Sequence, residues 1–335
     1  MTTATPQRTD ERRTVPPKSQ GNPALRFLAA NKSLVGLILL MAIVSAVSPN
    51  FLTFDNQMNI LRQTSINAII ACGMTFVILT AGIDLSVGSV LAFTGAVCAS
   101  LVGGDTSLWI ALPATLALGA ALGAANGAVI ALGGVQPFIA TLVSMTVLRG
   151  ATLVYTDGRP IGTIDGQGAD AFWAIGGEYV FGVPVPVLIS AVVFIVCWFV
   201  LSRVRFGRYV YAVGGNEQVT RLAGIDITAV KIAVYAVSGL LAALAGVILT
   251  ARLESAQPTA GTAYELDAIA AVVLGGTSLM GGRGHIFGTL VGALIIGVLN
   301  NALNLMEVSS YYQMIAKGAV ILLAVLVDSR GKSSS

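Results

Sequence analysis

Charge is scarce in this 335-residue chain, with Asp, Glu, Lys and Arg making up only 10% of it. A soluble domain carries about 25%, so an ordinary soluble fold is excluded. Histidine occurs once, as His285 in the short turn MGGRGHIFG, and reads as a polar turn residue at the cytoplasmic surface. One imidazole cannot build a metal site. Cys72, Cys98 and Cys197 all fall in apolar segments without CxxC spacing, so they read as small buried hydrophobes rather than a disulfide framework. A nucleotide-binding loop is also missing. Gly331-Lys332-Ser333 matches the end of one, but the position that needs the first glycine holds Leu326, and no strand precedes it. If ATP drives this protein, another subunit must bind it. The net charge of +3 is too small to indicate a nucleic-acid partner, and the lack of period-two alternation excludes a membrane barrel.

What is abundant is apolar: 55% hydrophobic residues and 38 glycines, with a mean hydropathy of +0.83. Runs near 20 residues recur, the signature of an all-α polytopic membrane protein. About ten spans are expected, at 34–47, 59–81, 85–102, 108–132, 137–154, 185–201, 232–251, 266–279, 286–305 and 311–327. Residues 1–33 form a polar, Pro-rich tail with a short interfacial segment at 24–30, and 329–335 form a second tail. A signal sequence cleaved near Ser45-Ala46 is the competing reading, but an uncleaved first helix suits the long charged region before it.

Ten spans put both basic termini on one side. Parity puts the loop at 202–231 with them, carrying Arg203, Arg205, Arg208, Arg221 and Lys231 against Glu217 and Asp226. The loop at 155–184, with Asp157, Asp165, Asp170 and Glu178 against Arg159, falls opposite. By the positive-inside rule the termini and 202–231 are cytoplasmic and 155–184 is periplasmic, with a permease domain over 34–328. Spans two to five and seven to ten are offset by five helices, which predicts an inverted repeat. Its faint trace is GIDLSVGSVLAF against YELDAIAAVVLGG.

Within the basic loop, Asn216 is an N-cap, Glu217 lies in the first turn, Arg221 near the end, and Gly224 is the stop. A short helix over 217–223 follows. Val219, Leu222 and Ala223 give it an apolar stripe fit for docking a cytoplasmic partner, the alternative being a solvated linker.

Asp84 and Asp267 either cap their helices or line a translocation path, and the cap is the favoured role. Arg149 and Lys317 can snorkel. Asn126, Asn300, Asn301, Asn304 and Gln313 offer neutral donors and acceptors of the kind an uncharged sugar needs in a path, with Asn300 and Asn304 on one helix face. Interhelical hydrogen bonding is the equal alternative. Gly119, Gly123 and Gly127, and Gly288 with Gly292, allow close helix packing within a protomer or across a dimer. Gly275-Gly276 and Gly281-Gly282 predict a broken helix or re-entrant turn.

Three stretches carry a resemblance: ILTAGIDLSVGSVLAFTGAV (78–97), GRYVYAVGGNEQVTRLAGI (207–225) and the run from 255 to 305, continued by SSYYQMIAKGAVILLAVLVD (309–328). They resemble the monosaccharide-permease family of bacterial ATP-binding-cassette importers, and within it the ribose permeases. Permeases for xylose, galactose and allose share most of these motifs. The resemblance implies an inner-membrane homodimer with a vitamin-B12-importer-like fold, performing no covalent chemistry and binding no cofactor. A cytoplasmic ATPase holding ATP and Mg would grip 216–225, which ends at Ile225, and a periplasmic sugar-binding protein would meet the loops 155–184 and 252–264. The alternatives are an ion-coupled secondary transporter of a small polar solute and a passive channel.

Overall fold

The computed structural model describes residues 32–163, 168–309, 311–319 and 322. The tails and Asp165 therefore lie outside the described residues. The chain is helical nearly throughout: α1 (Lys32–Val47), α2 (Phe54–Leu79), α3 (Val87–Gly103), α4 (Leu108–Gly133), α5 (Pro137–Tyr155), α6 (Ala169–Gly177), α7 (Val185–Arg203), α8 (Arg205–Gly215), α9 (Glu217–Leu222), α10 (Ile227–Leu253), α11 (Tyr264–Leu274) and α12 (Ile286–Leu305). Residues 311–319 are helical as well. Among these, α2, α4, α5, α7, α10 and α12 are long and apolar enough to cross a membrane, and α1 and α3 are shorter apolar helices. Trp109, Val143, Val147, Val192, Ile195 and Phe199 project from α4, α5 and α7 as an exposed apolar exterior suited to hydrocarbon.

Two helices form the axis of the core. α2 is buried from Thr64 to its end, Asn67 alone being half-exposed, as expected of a helix apolar on every side. α10 packs against α2, α3 and α4. Its approach to α4 depends on glycine. A methyl on Gly123 would strike the carbonyl of Tyr235, and one on Gly127 would lie 2.7 Å from the Cα of Ile232. One on Gly119 would meet Ala243 and the Gly239 carbonyl. Gly288 and Gly292 of α12 lie in the same way against Gly275 and Ala271. Both glycine runs thus serve contacts within this one chain.

Several segments depart from the boundaries read off the sequence, among them α2, which starts at Phe54 rather than 59, and the loop 155–184, which holds α6. The loop 202–231 is largely helical, holding α8 as well as α9. α8 buries Gly207, Val210 and Val213 and exposes Arg205, Arg208 and Tyr209. α10 starts at Ile227, five residues earlier than hydropathy places it, because the Asp226 carboxylate caps it by accepting from the Ala229 N–H at 3.0 Å. α11 ends at Leu274 rather than 279. The chain then turns through Gly276, Gly281 and Gly282, with φ of 86°, 80° and 68°, a left-handed region that suits glycine.

At the far end of α10 the two polar loops meet. β1 (Ile161–Gly162) pairs antiparallel with β4 (Ser255–Ala256), Ile161 opposite Ala256. β2 (Tyr179–Val180) and β3 (Val183–Pro184) form a hairpin.

Candidate functional site

Two features stand at opposite ends of the bundle. The first is α9. Its N-cap Asn216 accepts the Val219 N–H at 3.0 Å, and Gly224 closes it at φ 79°. Glu217 bonds Arg221 at 3.4 Å and Lys231 at 2.8 Å, tying the helix to α10. Thr220 faces inward, Ile225 packs on the core, and Ala223 is exposed. Val219 and Leu222 stand 60% and 88% exposed among the arginines. Val219 and Leu222 thus form an exposed apolar pair on a basic surface.

Behind α9 lies a tight junction. Phe206 of α8 stacks on Phe76 of α2 with ring centres 6.3 Å apart. The Tyr211 hydroxyl donates to the Gly284 carbonyl at 2.8 Å, and burial raises its pKa above the ordinary tyrosine value. The Gly282 N–H donates to the Leu79 carbonyl at 2.9 Å. So α8, the end of α2 and the 275–285 turn are joined directly.

Asp84 does not cap α3. The N-cap position is Ser86, which makes no side-chain cap bond. Asp84 is 1% exposed. One carboxylate oxygen accepts from the Ser86 N–H at 3.0 Å and hydroxyl at 2.6 Å, and the other from the Ser238 hydroxyl at 2.8 Å. Asn126 donates to the Ser86 hydroxyl at 2.9 Å. The network links the α2–α3 turn to α10 and α4, and Asn126 belongs to it. A buried acid is tolerated when its oxygens are satisfied in this way.

The second feature is a polar cleft of about 460 Å³ walled by α2, α10, α11, α12 and the helix 311–319. It contains Arg252, 25 residues beyond Ile227, and therefore about 38 Å along α10 from the α9 end. Asp267 is no cap either, because that position of α11 is Ala263. Its carboxylate instead receives the Lys317 ammonium at 3.0 Å and the Asn67 amide at 3.4 Å. Lys317 is thus an ion-pair partner and not a snorkelling cation. Arg149 likewise points inward, donating to the carbonyls of Pro258 and Ala260 at 3.0 and 2.8 Å.

Asn300, Asn304 and Gln313 line the cleft, and Gln313 donates to Asn304 at 2.8 Å. Asn301 points elsewhere and exchanges amide hydrogen bonds with Asn56 at 2.8 and 3.1 Å. A step of one residue turns about 100° around a helix, which separates it from its neighbours. Gln63, Thr64 and Asn67 complete the wall. Sequence reasoning did not single them out, although their polarity early in an apolar span was the available signal. No cluster of metal-ligating side chains occurs among the described residues.

Comparison with known proteins supplies the family. The model for the permease component of branched-chain amino acid transport systems matches residues 56–325. The ribose import permease protein of Haemophilus influenzae is 61% identical over 304 residues, 91% of this chain and 94% of the relative. That of Escherichia coli K12 is 62% identical over 304 residues, 91% of this chain and 95% of the relative. That of Bacillus subtilis is 54% identical over 297 residues, 88% and 91% of the two chains. No solved structure matches the chain. With its polytopic apolar helices, the chain belongs to the branched-chain amino acid transport system permease family, and it is a membrane transport subunit, not an enzyme.

Proposed function

We propose that this chain is the permease subunit of an ATP-binding-cassette importer carrying ribose across the bacterial inner membrane into the cytoplasm. The observation that carries the reading is the identity of 61, 62 and 54% to three ribose import permeases over about nine-tenths of the chain. The arrangement of the molecule supports it. An exposed apolar pair on a short basic helix stands at one end and an amide-rich cleft at the other, which suits a transporter driven from inside and loaded from outside.

In this proposal two copies form a homodimer of the vitamin-B12-importer type. Each makes ten crossings, with inverted repeats and both termini cytoplasmic. The segment 216–225 seats in the ATPase subunit, which holds the ATP and Mg. The loops 155–184 and 252–264 receive a periplasmic sugar-binding protein, and their pairing through β1 and β4 gives it one continuous surface. Asn300, Asn304, Gln313 and Asp267 line the outer part of the path, whereas Asp84, Asn126 and Asn301 hold helices together. ATP binding draws the two cassettes together, moves the α9 pair and opens the path outward; hydrolysis resets it.

The test is uptake of radiolabelled ribose into vesicles holding the permease with its ATPase and binding protein. Uptake driven by ATP without an ion gradient is expected. Uptake that needs a proton or sodium gradient and ignores ATP would overturn the proposal in favour of an ion-coupled carrier.

A further inference from the structure

We propose that the cleft is itself a binding site for one neutral, hydroxyl-rich monosaccharide, so that the permease holds the sugar between its delivery and its passage. This inference rests on the importer reading above and adds to it a site in the permease, beyond the one expected in the binding protein.

Size and chemistry both point this way. Pockets for small molecules span about 300–1,000 Å³, and the cleft offers about 460 Å³. Its polar side chains are mainly amides and hydroxyls, which both donate and accept, as sugar hydroxyls do. Thr64 Oγ1, Asn67 Oδ1 and Asn300 Oδ1 are buried oxygens without a hydrogen-bond partner, and Thr64 as a residue is only 5% exposed. Polar atoms so withdrawn from water are normally paired, and rotation of the Asn67 and Asn300 amides about their side-chain torsions would bring these spare acceptors to a polyol in the cleft. Gly297 makes room for this arrangement, since a methyl there would strike Thr64 Oγ1.

Charge narrows the ligand class. The Asp267 carboxylate is already engaged by Lys317 and Asn67. A free amino acid would need an unengaged carboxylate for its ammonium group, and this wall offers none among the described residues. Arg252 and Tyr264 add a guanidinium and an aromatic ring at the wall, groups that suit hydroxyls and the apolar face of a sugar ring. With Asp267 paired to Lys317, Arg252 leaves the wall positive, which repels an ammonium group. The amides and hydroxyls around it fit an uncharged polyol, although the family model is named for amino acids.

The experiment uses the full-length chain in lipid nanodiscs. Leu253→Cys, at a lining position that gives the sugar no hydrogen bond and stands 47% exposed, is labelled with a membrane-impermeant maleimide, the native cysteines all being buried. Millimolar D-ribose is expected to slow labelling several-fold, whereas L-leucine leaves it unchanged and Gln218→Cys on α9 is indifferent to both. Equal labelling with and without ribose, or equal protection by leucine, would overturn the proposal. In vesicles with the ATPase and binding protein, Thr64→Val and Asn300→Leu are expected to lower ribose uptake at least tenfold. Normal uptake by both variants would overturn the cleft site and leave the importer reading standing. No ATP-driven ribose uptake by the unmodified complex would overturn both.

Discussion

The carbonyl of Leu79, at the end of α2, lies against the bare Cα of Gly214 in α8, with no room for a methyl group between them. One residue on, Gly215 has open space around it. The pair makes a test with its own control. Gly214→Ala must push α8 away from α2, and overpacking of this kind costs about 1–3 kcal/mol. Ribose uptake per folded molecule should fall about tenfold or more, while Gly215→Ala should transport normally. Equal behaviour of the two variants in vesicle uptake would remove the junction from the transmission route.

On α9, Leu222 is the most exposed apolar side chain. Leu222→Asp should leave thermal stability within about 0.5 kcal/mol, as exposed substitutions do, yet abolish co-purification of the ATPase. Retention of the ATPase by this variant would refute the docking role.

Asp267 and Lys317 form an ion pair in which the carboxylate side chain is 5% exposed and the ammonium side chain 26%. Breaking a buried pair from one side costs about 3–5 kcal/mol, and the partly exposed lysine places this case near the lower limit. Lys317→Met, which strands the more deeply buried charge, should lower the Tm more than Asp267→Asn. The double variant should recover most of the loss. Strictly additive shifts in thermal unfolding would mean that the two groups do not couple.

Close packing of α4 on α10 predicts a contrast between two glycines. Gly123→Ala drives a methyl into the Tyr235 carbonyl and should destabilise the protein by about 1–3 kcal/mol. Gly150→Ala, in α5 with nothing within 4 Å, should be neutral or stabilising by up to about 1 kcal/mol. Thermal unfolding of the purified variants checks both.

How far the sequence could be read depended on the range of each interaction. Apolar runs mark helices because hydropathy is local, and α9 was legible because Asn216, Glu217 and Gly224 are a cap, a first-turn acid and a stop within nine residues. α8 was hidden because Arg203, Arg205 and Arg208 dominate a window whose inward positions, Gly207, Val210 and Val213, are small or few. The acids misled for a related reason. Near a helix start a carboxylate looks like a cap, but Asp84 finds Ser238 across 154 positions, and Asp267 finds Lys317 across 50 and Asn67 across 200. No local window contains such partners. The four-residue spacing puts Asn300 and Asn304 on one helix face, but that this face meets the cleft depends on α2, far off in the chain.

β4 sits in the short connection between α10 and α11, and its strand partner belongs to the loop between α5 and α7. The 155–184 loop is therefore joined, through that pair, to the connection that leads into α11 and Asp267. In the importer proposed above, a binding protein landing on 155–184 would reach the cleft through that one β-pair.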